Sequence, residues 1–356
     1  MSMPNNIKIA LVKQEIYQDL YVCPKEEKDP AKILFASQMR VGPIGLFSEL
    51  HADYYIVKEE YAEETQIYRK VIPHIADDLQ LLKTTTANNI PGRSFIQPGS
   101  ESANGDFAVN CHDVDWGTYD IVISINISLP TNVVRKYPGT LFAYMIGEAN
   151  MGTQKPLWGY DITLNQMARG RVTNTLGGSV DFPYTFLTGN SLETIMRKTL
   201  GRPSHKRGVF MEINSTEERP VTKVPPHFKI LEENGIPVNL HKQKIKDNLT
   251  VLYDSKYHLK MGGRLIRGNA IAEAASLGVL SLADKKAVIH SELIFDEVHV
   301  RNMPEALERI QELDKNEKLY EALLQKQRKI VTALFFDRPL KSLLNCYTVK
   351  RAQNPL

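Results

Sequence analysis

The stretch Gly262 to Asp284, GGRLIRGNAIAEAASLGVLSLAD, sets a glycine pair and two arginines against the start of an Ala-rich helical run. The unpaired amides and positive dipole end of a helix bind anions, and arginine adds paired donors that match a phosphate. Asn269 is a good residue to cap such a helix. Ala270 follows it, and Arg264, Arg267, Lys256 and Lys260 line the chain that leads into it. Glu273 lies one turn further in, on roughly the same face. A carboxylate there does not bind phosphate, but it can accept hydrogen bonds from two vicinal hydroxyls of a ribose lying beyond the pyrophosphate. The pattern reads as a nucleotide clamp. It reads equally well as an Ala-rich helix packed on a sheet, with solvated arginines and a glutamate favourably placed near the positive helix end.

Other constellations are weaker. Gly42 and Gly45 in QMRVGPIGLFSEL stand between a strand and a helix, where glycine permits a tight turn and close backbone approach to a ligand. Gly-x-x-Gly is not a dinucleotide fingerprint, and neither that motif nor a phosphate-binding GxxxxGK[ST] loop occurs. In HDVDW, Asp113 and Asp115 offer two oxygen ligands of the kind that suit Mg or Mn, though so short a pattern arises often by chance. The nine histidines have no metal-ligand spacing, and His258 is a single candidate for a phosphate or sugar contact. The run HKQKIK (241–246) is a solvated basic face or an attraction for an anionic lipid-linked molecule.

Elements must position these residues. Short apolar runs recur at 7–12, 32–37, 53–58, 119–127, 139–147, 207–213, 236–241, 249–254 and 278–284. Their continuous apolarity predicts strands covered on both faces, and helices between them predict an α/β protein. Helices are expected at 225–234 and 269–277, and MPEALERIQEL and EKLYEALLQKQRKIVTALF form two amphipathic ones. The Asn-, Gly-, Ser- and Pro-rich stretch 84–118 is expected to be a long loop. TLGRPSHKRG (199–208) marks the domain break, which gives an N-terminal domain over 1–200, a second over 201–330, and a closing segment over 331–356.

With 44 basic and 41 acidic residues the net charge is +3, too balanced for a polyanion-coating protein, so any basic site is local and no nucleic-acid partner is expected. Cys23, Cys111 and Cys346 stand far apart, without disulfide or zinc spacing. The chain carries no signal-peptide pattern and no run long enough to span a membrane, which predicts a cytoplasmic protein able to touch a membrane surface.

NAIAEAASLGVLSLAD resembles the donor-binding segment of GT-B-fold glycosyltransferases, in which a helix carrying Glu-Ala-x-x-x-Gly runs into a short apolar strand; Glu273, Ala274 and Gly278 match. The resemblance covers roughly 205–330 and implies two Rossmann-like domains facing a cleft, with C-terminal helices crossing back to the first. It implies a hexosyl- or deoxyhexosyltransferase that uses a nucleotide-sugar donor and a glycan or lipid-linked acceptor, with no cofactor and no divalent metal; the alternatives are a metal-dependent transferase using Asp113 and Asp115, a nucleotide-sugar epimerase, and a non-catalytic sugar- or nucleotide-binding protein. Glu273 is then the ribose contact. The amides near Asn269 and Ala270, with Lys256, Arg264 and Arg267, hold the diphosphate. Asn214, Ser215 and Thr216, in the turn after RGVFMEI, face the donor or form a plain Asx or Ser turn. An inverting member needs a base in the N-terminal half, and Glu148, at the end of TLFAYMIGE, stands where a parallel sheet presents ligands, if it does not merely cap the next helix. Many retaining members carry a second glutamate eight residues before the matched one, and this chain has Leu265 there.

Overall fold

A computed structural model describes residues 7–14, 20–22, 52–57, 67–71, 82–84, 107–125, 127–145, 159–165, 178–183, 193, 196–197, 201, 203, 205–212, 222–241, 245–262, 265–266 and 268–353 of the 356-residue chain. The chain divides into two units, Met1–Phe186 with Phe335–Leu356, and Leu187–Leu334. The break expected at 199–208 falls earlier because that segment is bonded into the second unit. Tyr253 Oη donates to the Gly201 carbonyl at 3.1 Å, and the Arg207 amide donates to the Asp254 carbonyl at 3.0 Å.

The first unit contains β1 (Ile9–Gln14), β2 (Leu20–Val22), β3 (Asp53–Val57), β4 (Ile67–Val71), β5 (Leu82–Thr84), β6 (Phe107–Asn110), β7 (Ile121–Ile125), β8 (Leu141–Met145), β9 (Ile162–Asn165) and β10 (Gly178–Asp181). Eight of them form one sheet in the order β10-β9-β8-β7-β1-β3-β4-β6. From β10 to β3 all neighbours are parallel, while β4 and β6 extend the sheet antiparallel. In β7 every side chain is buried, and Ile9 to Val12 of β1 are buried as well. This is why both strands read as unbroken apolar runs. β6 lies inside the stretch expected to be a loop. Its four residues, FAVN, pair with β4 and are too short and too mixed to signal a strand. A short helix, α1 (Thr131–Val134), follows β7.

The second unit contains β11 (Val209–Met211), α2 (Lys229–Glu233), β12 (Val238–Leu240), α3 (Ile245–Asp254), β13 (Tyr257–Lys260), α4 (Asn269–Ser276), β14 (Leu280–Ala283), α5 (Met303–Lys315) and α6 (Glu317–Thr332). The four strands are all parallel, in the order β12-β11-β13-β14. Connections run from β11 to one side and then back across it, so the order reverses between β11 and β13. Ligands of open α/β sheets bind beyond the carboxyl ends of the strands at such a reversal.

One strand was misplaced by pattern. LTVLYD is the second half of α3, and Leu249, Leu252 and Tyr253 are buried at helical spacing. The strand is the next segment, Tyr257–Lys260, whose polar His258 and Lys260 break up its apolar signal.

After α6 the chain passes through a π-helical turn (Ala333–Asp337) into α7 (Arg338–Gln353), which belongs to the first unit. There Tyr347 donates to Asp120, just before β7, and Lys350 pairs with Asp161, just before β9, at 2.6 Å. Both anchors lie at the amino ends of the strands. Among the described residues no helix is long and apolar enough to cross a membrane.

In the second unit β14 is an edge strand, and a buried edge must have its backbone groups satisfied. Gln327 of α6, fully buried, does this. Its Oε1 accepts from the Ser281 amide at 2.9 Å, and its Nε2 donates to the carbonyls of Ser281 and Leu293, both at 3.2 Å. Gln327→Leu strands these groups without water and is expected to destabilise the protein by about 2–4 kcal/mol. Denaturant unfolding reads this directly, and a loss below about 0.5 kcal/mol would remove the edge-closing role.

Candidate functional site

The carboxyl edge of the β12-β11-β13-β14 sheet is lined by titratable residues. Glu212 follows β11, His241 follows β12, Lys260 ends β13 and Asp284 follows β14. Register aligns the first three. Met211 lies opposite Leu240 on one side and Leu259 on the other, so Glu212 stands between His241 and Lys260. Side chains alternate across a strand, so Phe210 and Glu212 share a face with His258 and Lys260. The ring distances agree, since Phe210 lies 5.9 Å from His258 and 6.1 Å from His241. Phe210 forms an apolar floor beneath the two imidazoles.

His258 is fully buried. Its Nδ1 lies 3.0 Å from Ser281 Oγ, and its Nε2 approaches Glu212 Oε2 at 3.4 Å. Lys260 is 2% exposed. Burial by itself would raise the Glu212 carboxyl, but the His258 imidazole, with the charges of Lys260 and His241, outweighs burial and holds it below the usual carboxylate range. Burial also pushes His241 below the ordinary histidine value, against the pull of Glu212. Glu273 on α4 goes the other way. Burial pushes its carboxyl up to about 8, and the Glu212 charge adds to the rise. At neutral pH the site therefore holds one ionised and one protonated carboxyl, the divergence that separates acid from base roles.

Helix α4 starts at this edge because it follows β13. Its N-cap is Gly268, at φ +119°, a left-handed conformation that favours glycine. Asn269 is consequently the first helical residue and not the cap. No side chain caps the first turn, and the start of a helix is in general where the backbone amides of a protein can take an anion. Ala270 is half-buried in the same turn. The other end of α4 is closed structurally. Gly278 takes φ +73°, its amide donates to Ala275 at 3.2 Å, and the Val279 amide donates to Ala274 at 2.8 Å, the paired bonds of a Schellman cap. Lys206 donates to the Leu277 carbonyl and Arg328 to that of Ala275. Gly278 thus has a backbone reason for its place in Glu-Ala-x-x-x-Gly, whereas Glu273 has none.

Lys256 does not join this site. It precedes β13, at the opposite edge of the sheet, where its Nζ meets Asp314 at 2.9 Å and Glu317 at 3.4 Å and lies 5.0 Å from the Tyr320 ring. The misplaced strand explains the error, since a strand ending at Asp254 would have put Lys256 past its carboxyl end. Asp113 and Asp115 are also displaced. They precede β7, at the amino edge of the first unit's sheet, and Asp115 Oδ1 caps a turn by accepting from the Gly117 amide at 3.1 Å. The turn exists to seat Trp116, which is fully buried and donates to the Cys111 carbonyl at 2.9 Å. Among the described residues no group of three or more His, Cys, Asp or Glu side chains is arranged to hold a metal ion. Gly42, Gly45, Glu148, Asn214, Ser215, Thr216, Arg264 and Arg267 lie outside the described residues.

Glu212 and His241 were missed by pattern, although a signal existed. Each apolar run of the second unit that forms a strand ends in, or is followed at once by, a titratable side chain.

No family model matches the chain, and no curated protein matches it. Solved structures similar to it include T4 phage beta-glucosyltransferase, at 12% identity over 98% of this chain and 100% of that one, with a TM-score of 0.42. Sucrose-phosphate synthase from Thermosynechococcus elongatus aligns at 12% identity over 98% and 100%, with a TM-score of 0.45. Anabaena HepE, solved with UDP and glucose, aligns at 11% identity over 67% and 79%, with a TM-score of 0.37. At this level of identity and superposition the likeness carries no weight for chemistry, which must come from the chain's own residues.

The native protein holds the Glu273 proton up to about pH 8, whereas an ordinary glutamate releases it near 4.5. The stability tied to this group is complete below about pH 4.5 and is lost as pH rises toward 8, at no more than about 1.4 kcal/mol per pH unit, the limit for a single proton. Glu273→Gln removes this dependence. Urea unfolding is expected to show a gap in the variant's favour that widens from about pH 5 to 8 and then levels off. Parallel pH profiles would contradict the burial of this carboxyl.

Proposed function

We propose that this protein is a nucleotide-sugar-dependent glycosyltransferase of the GT-B type whose donor binds at the carboxyl edge of the second unit's sheet. The observation that carries this reading is the convergence of an uncapped helix start and a buried carboxyl, Glu273, at the point where strand order reverses. The amides of Asn269 and Ala270 take the donor diphosphate, and Arg264 and Arg267, in the segment before the helix, add charge. Glu273 contacts the ribose. Asn214 and Ser215 follow β11 in sequence and contribute polar contacts to the same donor.

In this reading the bond between the sugar and the β-phosphate oxygen breaks as an acceptor hydroxyl attacks the anomeric carbon. Negative charge grows on the departing diphosphate, where preoriented amides and guanidinium groups stabilise it, and a divalent metal is not required. Glu148, three residues beyond β8, removes the acceptor proton, which gives inversion at the anomeric carbon. The acceptor is a carbohydrate or a lipid-linked glycan.

Thermal unfolding in the presence of UDP, GDP, dTDP and CMP sugars tests the assignment. A donor at 100 times its dissociation constant stabilises the native state by about 2.7 kcal/mol, so one nucleotide class is expected to raise the midpoint by several degrees. Replacing Arg264 and Arg267 together with alanine is expected to abolish that rise. Indifference to all four classes would overturn the reading.

A further inference from the structure

Lys206 lies at the carboxyl end of α4, where its Nζ donates to the Leu277 carbonyl and stands 5.0 Å from the centre of the Tyr253 ring. Arg328 reaches the same helix end, donating from Nε to the Ala275 carbonyl at 2.8 Å. A Cβ built on Gly278 would sit 3.3 Å from Arg328 Nη2 and 3.6 Å from Lys206 Nζ, so two cations crowd one point that a glycine leaves open. The helix already has its Schellman bonds there, and Arg328 for Ala275. Capping alone does not call for a second, desolvated cation.

A lysine taken partly out of water beside another cation gives up its proton early and becomes a nucleophile. Burial lowers Lys206 to about 8, with Arg328 pushing the same way and the carboxylates of Glu193 and Asp254 pulling against them. Burial wins. At about pH 7.4 roughly a fifth of such a group is free amine, against roughly a thousandth of an ordinary lysine. That excess outweighs the lower nucleophilicity of a weaker base, which by analogy with thiols falls by about half a log unit per pKa unit. Lys206 is half-buried and not sealed from solvent.

We propose that Lys206 is a site of N-acylation by small acyl phosphates, with Arg328 holding the phosphate beside the amine. Guanidinium groups pair with phosphate oxygens, and Nη2 is the atom nearest the open point over Gly278. The neutral Nζ attacks the acyl carbonyl carbon. The carbon–nitrogen bond forms, the carbon–oxygen bond to phosphate breaks with its electron pair leaving on the phosphate, and the nitrogen passes its extra proton to water. Charge grows on the departing phosphate beside the guanidinium. The product is a neutral amide, which ends the crowding of two cations.

Trace labelling of the full-length protein with acetyl phosphate, followed by unfolding, exhaustive labelling with an isotopically distinct acetyl group and peptide mass spectrometry, tests the proposal lysine by lysine. At about pH 7.4 Lys206 is expected to take acetyl at least about tenfold faster than the median lysine. Its rate is expected to be half-maximal near pH 8, whereas ordinary lysines reach that point only above about pH 10. In denaturing urea the excess is expected to vanish, because the niche is gone while His205 and Arg207 still flank Lys206 in sequence. Replacing acetyl phosphate with the uncharged p-nitrophenyl acetate is expected to cut the excess about threefold, the worth of a surface ion pair. A native Lys206 no faster than the median lysine overturns the proposal, and so does an excess that survives in urea. An excess equal for both reagents overturns the choice of acyl phosphates. The transferase reading is untouched by any of these results.

Discussion

Burying a carboxyl beside another carboxyl is costly, and the second unit does so at the carboxyl edge of its sheet, the edge at which parallel sheets in general present ligands. Glu212 is kept ionised by the imidazole and ammonium groups around it, and Glu273 is kept protonated by burial and by Glu212. The two states depend on each other. Removing His258 or Lys260 would release Glu212 from its low value and thereby relax Glu273, so the electrostatic character of the edge is a property of the row and not of any one residue.

The fold supplies this row through register. Three parallel strands of three or four residues end level with one another, which brings side chains far apart in sequence into one line. The strand order reverses beside it, opening the edge, and the helix after β13 delivers its amides there. The supporting structure is ordinary packing. Gln327 closes the outer edge, a left-handed Gly278 ends α4, and Lys206 and Arg328 cap its last carbonyls. In the first unit, α7 is anchored at the amino ends of the strands, away from the edge at which a parallel sheet presents ligands.

Much of this was legible in the residues, and the failures have physical causes. The helix Asn269–Ser276, the strand Leu280–Ala283 and the two amphipathic helices Met303–Lys315 and Glu317–Thr332 follow long or well-bounded patterns, and each was read correctly. LTVLYD was not, because a continuous apolar run of six residues fits a strand and a buried helix equally. The same ambiguity conceals the strand Tyr257–Lys260, in which the polar His258 and Lys260 interrupt the apolar signal. The same slip carried Lys256 to the wrong edge, and its true partners, Asp314 and Glu317, are distant in sequence. Glu212 and His241 lie in the apolar runs 207–213 and 236–241 but look like polar strand ends, and only pairing of the strands reveals Glu212 as the neighbour of both His241 and Lys260. Asp115 caps the turn that seats Trp116, which gives it a structural reason for its place in HDVDW.

Carbon-detected NMR titration of the glutamate side chains, with Glu273→Gln and Glu212→Gln for assignment, measures the opposed carboxyl states directly. One glutamate is expected to titrate near pH 8 and to vanish from the spectrum of Glu273→Gln, and another, absent in Glu212→Gln, is expected to stay ionised below the ordinary glutamate range. A spectrum in which every glutamate titrates between about pH 3.5 and 5.5 would contradict the account.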